Sequence, residues 1–331
     1  MLPRVKRDRW PGVLVPAVGI FALLLPIAGW PQQQSQQQKT DDGSATFSTD
    51  TRLVILPVTV QEKSGHLVTN LPQSAFQVYE NGTLQPLKTF KREDVPVSLG
   101  LIIDNSGSMR DKRQKVEAAA LALVKESNSD DEVFIVNFND EAFLDQDFTN
   151  NIKEMQQGIT KIDSRGGTAM RDALRMSIDH VKEKGKKDKK VILVVTDGND
   201  NASIISLENL VRAAQQSEVI LYAIGLLSDE ERREANRAKR ALNALTEATG
   251  GQVYYPKEAS EVDRIARQVA HDIRNQYTLG YSPANAALDG SYRQIKVLAN
   301  NGSSKLNVRT RSGYYATAEK GASASSRKPT D

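Results

Sequence analysis

Pro96 to Met109, PVSLGLIIDNSGSM, constrains this chain more than any other stretch. Val97 to Ile103 is an apolar run that ends abruptly at Asp104-Asn105-Ser106-Gly107-Ser108. A continuous apolar run of this length, closed by turn residues, reads as a strand buried on both faces. Such a strand needs cover from two sides, which points to a layered α/β unit. The turn after it carries one carboxylate and two hydroxyls at alternate positions, and on a tight Gly-containing turn all three aim at one point. Oxygen-only donors suit a hard cation such as Mg2+ or Mn2+, not zinc. The loop is expected to be exposed.

The following residues repeat the pattern. Val116, Ala120, Leu123 and Val124 stripe one helix, Met170, Leu174, Ile178 and Val181 a second, and Leu207, Leu210, Val211 and Ala214 a third. Ala238, Leu242 and Leu245 stripe a fourth, stopped by Gly250-Gly251, and Val262, Ile265, Ala266, Val269 and Ile273 a last one. Between them lie strands at Val133 to Phe138, Val191 to Val195, Val219 to Ile224 and Val253 to Tyr255, with a short edge strand in Glu141 to Phe148. Apolar strands alternating with amphipathic helices predict a Rossmann-like, mostly parallel sheet covered by helices on both faces. Ligands of such sheets bind beyond the carboxyl ends of the strands, where Asp104 and Asp197 stand.

Three loops can converge on one site: Asp104, Ser106 and Ser108 from the first, Thr168 after Gly166-Gly167 from the second, and Asp197 of Thr196-Asp197-Gly198 from the third. Thr168 also reads as an N-cap of the helix it opens, and Asp200-Asn201 as a polar turn. Asp-Asn-Ser-Gly-Ser, Gly-Gly-Thr before a helix and Thr-Asp-Gly after a strand resemble the metal-ion-dependent adhesion site of von Willebrand factor type A domains, in motif order and over about 180 residues. The resemblance implies that Ser106, Ser108 and Thr168 bind Mg2+ (or Mn2+) directly, that Asp104 and Asp197 hold its waters or bind it in some states, and that a protein ligand presents an Asp or Glu to the metal. The segment PVTVQEKSGHLVTNLPQSAFQVYENGTLQPLKTF and the closing RSGYYA further resemble the VWFA-related family common in Acidobacteria, which implies export.

The flanks complete the expected organisation. Residues 1–30 order a basic start, the apolar stretch Gly12 to Gly29 and small residues, as a secretory signal does; retained, it would be an N-terminal anchor, the one route by which a membrane enters. Residues 31–50, with QQQSQQQ, read as a flexible linker. Segments 51–95 and 276–316 are strand-rich, with Asn81-Gly82 and Asn300-Asn301-Gly302 as turns. Neither has enough strands to bury a face alone, so together they are expected to form a small β-sandwich-like domain into which residues 96–275 are inserted. Residues 317–331 read as a disordered tail.

Composition narrows the function. The charge of +3 arises from 44 basic and 41 acidic residues; without Arg4, Lys6, Arg7, Arg9 and Asp8 the two counts are equal at 40, so no global field favours nucleic acid. The absence of cysteine excludes disulfides, thiolate metal sites and a Cys nucleophile. Residues Lys182 to Lys190, KEKGKKDKK, read as a solvated helix end and loop. No phosphate-binding glycine motif is present and no small-molecule cofactor is expected; the three histidines lie far from the motif loops. A Ser nucleophile would need a nearby His, and an aspartyl-phosphate mechanism a second carboxylate where Ser106 stands. With these classes set aside, the resemblance implies an exported, non-enzymatic adhesion module of the periplasm, cell envelope or extracellular space. The alternatives are a structural envelope component whose metal only rigidifies the loops, and a metal-dependent hydrolase or phosphotransferase.

Overall fold

The computed structural model describes residues 52–317 except 93, 126, 127, 162, 163, 199, 228–231 and 303. The expected export segment, the linker and all but the first residue of the tail lie outside the described residues. Among those described, no helix is long and apolar enough to cross a membrane.

The chain begins with β1 (Val54–Gln61), β2 (Phe76–Glu80), β3 (Thr83–Gln85) and β4 (Leu87–Lys91). Asn81 and Gly82 join β2 to β3 with φ of 47° and 81°, the left-handed pair that a two-residue hairpin turn requires. The α/β unit follows as β5 (Val97–Asp104), α1 (Arg113–Lys125), β6 (Glu132–Phe138), β7 (Ala142–Thr149), α2 (Ile152–Ile159), α3 (Met170–Lys184), β8 (Lys189–Thr196), α4 (Leu207–Ser217), β9 (Ile220–Gly225), α5 (Arg232–Thr249), β10 (Val253–Tyr254) and α6 (Val262–Arg274). The chain then returns through β11 (Tyr277–Tyr281), β12 (Tyr292–Asn301), β13 (Ser304–Lys305), β14 (Asn307–Arg309) and β15 (Gly313–Tyr315).

The central sheet runs β10-β9-β8-β5-β6-β7, parallel except for β7, which pairs antiparallel with β6 at the edge. All eight residues of β5 are buried, as expected of a strand covered twice. Leu99, Leu101 and Ile103 pack with α1, α2 and α6 on one face; Ile102 packs with α3, α4 and α5 on the other. Helix α2 is an element the sequence reading missed. Asn151 caps it by accepting from the Lys153 N–H at 3.0 Å, and Met155 and Ile159 are buried.

Strands β1 and β2 pair with β11 and β12 across more than two hundred residues of sequence. One sheet is β14-β1-β11-β4; the other is β13-β12-β2-β3, with β15 on β12. Alternate residues of both, Leu56 and Val58 from β1, Leu279 from β11, Val78 from β2 and Val297 from β12, meet in one core. Buried Glu80 accepts from the hydroxyls of Tyr281 at 2.7 Å and Tyr314 at 2.9 Å, tying the two layers together. The basic run at 182–190 is only partly a solvated segment. Lys189 opens β8 and donates to the Ile273 carbonyl at the end of α6, and burial lowers its ammonium to about 8.

Candidate metal centre

Strand β5 pairs with β6 on one side and β8 on the other, so the direction of the chain through the sheet reverses between β5 and β8. Loops leaving such a pair diverge, one to each face, and open a crevice at the carboxyl ends of the strands. Asp104 ends β5 and Thr196 ends β8, so both loops start at this crevice.

Asp104 is a buried anchor beneath the site. Its Oδ1 accepts from the Ser106 N–H at 2.8 Å and its Oδ2 from the Thr196 hydroxyl at 2.5 Å. Burial pushes its carboxyl up to about 6; the bonds from Ser106 and Thr196 oppose that rise, and the nearby Asp197 charge adds to it.

The first loop is less open than expected, since Ser106 is buried while Gly107 and Ser108 are exposed. The hydroxyls of Ser106 and Ser108 are 3.2 Å apart, and Ser108 Oγ donates to Asp197 Oδ1 at 2.8 Å. Two hydroxyls and a carboxylate therefore form one row of oxygens.

The second loop is locked to the first by backbone. The Gly107 N–H donates to the Gly166 carbonyl at 3.1 Å, and the Arg165 N–H to the Asn105 carbonyl at 3.0 Å. Gly166 has a φ of +76°, a conformation open chiefly to glycine, and a Cβ there would collide with the Asp140 carboxylate. Asp140 also accepts from the Gly167 N–H at 2.7 Å. Thr168 is not the helix cap: that position belongs to Ala169, whose side chain makes no capping bond, and the first turn of α3 is capped from the third loop by Asp200 and Ser203, which accept from the N–H groups of Arg171 and Asp172. The Thr168 hydroxyl instead faces the third loop, 3.5 Å from where a Cβ on Gly198 would stand.

Asp200 and Asn201 are a turn, as expected, but one that clamps the second loop to the third. Asn201 Oδ1 accepts from the Thr168 N–H at 2.9 Å, while the N–H groups of Asn201 and Ala202 donate to the Thr168 carbonyl at 3.1 and 3.2 Å. Asp200 accepts from the Arg171 N–H at 2.7 Å and from its guanidinium at 3.2 Å.

Asp104, Ser106, Ser108, Thr168 and Asp197 thus lie on three mutually bonded loops. The donor set is entirely oxygen, with hydroxyls outnumbering carboxylates, and among the described residues no group of three or more His, Cys, Asp or Glu gathers here or elsewhere. These donors fit a hard divalent cation. Sequence reasoning missed Thr196, Asn201, Asp140 and Lys112. Lys112 Nζ donates to Asp197 Oδ2 at 2.5 Å. His66 bonds Ser64 and His180 bonds Asp147, so neither serves the serines of the site.

Residues 99–199 match a family model described as the von Willebrand factor type A domain. The match runs from within β5 into the third loop and leaves α4, β9, α5, β10, α6 and the flanking strands outside it. Over 186 residues the chain is 25% identical to an uncharacterized protein, sll0103, of Synechocystis, covering 55% of this chain and 42% of that one. The chain therefore spans less than half the length of that curated relative. Among solved structures, the von Willebrand factor domain of the type V pilus tip protein Mfa5 from Porphyromonas gingivalis is similar, at 15% identity and a TM-score of 0.44, covering 54% of this chain and 97% of that one. Proximal thread matrix protein 1 of the mussel byssus, solved with a zinc-occupied metal-ion-dependent adhesion site, is 17% identical with a TM-score of 0.47, covering 59% of this chain and 50% of that one.

Proposed function

We propose, from the match of residues 99–199 to the von Willebrand factor type A model and from the geometry of the three loops, that this chain is an exported, metal-dependent adhesion module that binds an acidic residue of a protein partner. The observation that carries this reading is the row of oxygens from Ser106 through Ser108 to Asp197, with the Thr168 hydroxyl against Gly198, the residue after Asp197. A bound Mg2+ or Mn2+ would supply positive charge and a coordination position open to a carboxylate.

Ser106, Ser108 and Thr168 would hold that ion directly. Asp197 would balance part of its charge, and Asp104 would fix the first loop from below. Neutral hydroxyls leave much of a 2+ charge uncompensated, so a carboxylate from outside strengthens the assembly. Arg110 and Arg165 are exposed on the loops of this face, which favours an acidic partner. Ile204, 96% exposed, projects from a segment pinned where Asp172 accepts from the N–H groups of Ile204 at 2.9 Å and Ile205 at 3.0 Å.

Calorimetric titration of the full chain with Mg2+, Mn2+ and Zn2+ tests the metal. Binding should be lost in Asp197→Ala and unchanged in Lys186→Ala, an exposed residue remote from the crevice. Capture from a native envelope fraction, with Mg2+ and with chelator, tests the partner. The captured protein should be released by chelator; equal retention in both conditions would turn the reading toward a metal that merely stiffens the loops. Turnover of a chromogenic ester with Mg2+ would turn it toward a hydrolase.

A further inference from the structure

Lys112 stands four residues beyond Ser108, at the approach to α1. Its backbone N–H donates to the carbonyl of buried Met109 at 2.9 Å, and its own carbonyl accepts from the N–H groups of Lys115 and Val116 at 3.1 Å each. The side chain therefore starts from a fixed point. It ends on Asp197: Nζ reaches Oδ2 at 2.5 Å, while Oδ1 of the same carboxylate accepts from Ser108 at 2.8 Å. The Asp197 side chain is 1% exposed and that of Lys112 31%. An ammonium set against a buried carboxylate is screened far less than a surface pair.

Building on the metal-centre reading above, we infer that Lys112 is a tethered counter-ion that competes with the divalent cation for Asp197 and holds the intrinsic metal affinity of the site down. The ammonium and the Ser108 hydroxyl contact the two oxygens of one carboxylate. The two groups therefore lie within about 8 Å of each other, no more than a Debye length at physiological ionic strength. A 2+ ion seated on the hydroxyls meets a like charge at that range and must share the carboxylate with it. A partner's carboxylate relieves both effects, because it adds negative charge beside the metal and gives the partly exposed ammonium a second anion to pair with. Lys112 thereby makes metal and partner depend on one another more strongly than the hydroxyl donors alone would.

The test titrates Mg2+ alone into the full chain, into Lys112→Met and into Lys112→Arg, and melts each protein in chelator and in Mg2+. Lys112→Met, neutral and of similar length, should bind Mg2+ about tenfold more tightly or better. Lys112→Arg, which keeps the charge, should stay close to the parent. In chelator Lys112→Met should melt lower, because Asp197 is left buried without its cation, and Mg2+ should raise its melting temperature by more than it raises the parent's. Tighter binding by Lys112→Met where the parent binds nothing measurable would also support competition. Equal or weaker binding by Lys112→Met, with a parent that binds Mg2+, would overturn the inference and leave the metal centre standing. Absence of binding in all three proteins would overturn both.

Discussion

At the scale of single residues, Asp104 is the position where structure and chemistry pull hardest against each other. Its carboxyl is pushed up to about 6 by burial, from an ordinary 3.8. A raised acid in the folded state binds its proton more tightly than the unfolded chain does. Stability therefore falls as pH rises from about 4 to about 6, and at neutral pH the fold carries a buried charge that costs roughly 3 kcal/mol. Asp104→Asn preserves the shape and an acceptor for the Ser106 N–H without that charge. In chelator it should melt higher than the parent at pH 7 and no higher at pH 4; an equal shift at both values would show that burial of charge is not the cause. The same linkage makes Mg2+ binding weaken as pH drops below about 6, because the proton and the metal draw on one carboxylate network, and Asp104→Asn should flatten that profile in calorimetry.

At the scale of elements, the site depends on how loops are braced more than on the donors they carry. The second loop reaches the first through the Gly166 carbonyl, and Gly166 holds a φ of +76° hard against Asp140. Gly65 has a comparable φ of +87° but nothing within 4 Å. Alanine at either position incurs backbone strain of about 1 kcal/mol. Gly166→Ala must also displace the Asp140 carboxylate, which loses the bond from the Gly167 N–H and frees the loop that carries Thr168. Gly166→Ala should therefore lose Mg2+ affinity by about tenfold or more, while Gly65→Ala loses only stability. Asn201→Ala, which leaves the Thr168 N–H without its acceptor, should behave like Gly166→Ala in the titration.

At the scale of the whole molecule, the sandwich strands and the α/β unit share a buried polar seam. Asp272 of α6, 1% exposed, accepts from Arg309 of β14 at 3.0 Å and from the Tyr254 hydroxyl at 3.0 Å. Gln276 donates to the Thr59 hydroxyl at 3.0 Å and to the Tyr222 hydroxyl at 3.3 Å. Removing one member of a buried ion pair leaves an uncompensated charge and costs about 3–5 kcal/mol, whereas replacing both with neutral groups costs much less. Arg309→Met should accordingly lower stability in a denaturant melt by several kcal/mol, and the double variant Arg309→Met with Asp272→Asn should recover most of the loss. Additive losses would mean that the seam carries little coupling. We further propose that residues 96–275 form the inserted unit and that 51–95 and 276–316 form one domain around it, a division that the pairing of β1 with β11 and of β2 with β12 favours.

The local sequence determined the elements and the donors. Periods of two and of three to four residues reflect which side chains share a face, so β5, β6, β8, β9 and the five longer helices were legible from apolar spacing alone. Helix α2 was not, because its eight residues carry too short a stripe, with Met155 and Ile159 its only buried large side chains. The motif Asp-x-Ser-x-Ser named three candidate donors, and the strand-end Asp197 and the Gly-Gly-Thr turn named two more. Tertiary structure alone decided that β5 lies beside β8, and with it that Ser108 and Asp197, 89 residues apart, share a hydrogen bond. It also buried Ser106 and Asp104, aimed Lys112 at Asp197, turned Asn201 into the clamp on Thr168 and paired β1 with β11. None of these contacts has a local signature. They follow from strand order and from which loops meet at its reversal, and that order is set by the packing of helices on both faces of the sheet, a property of the whole chain.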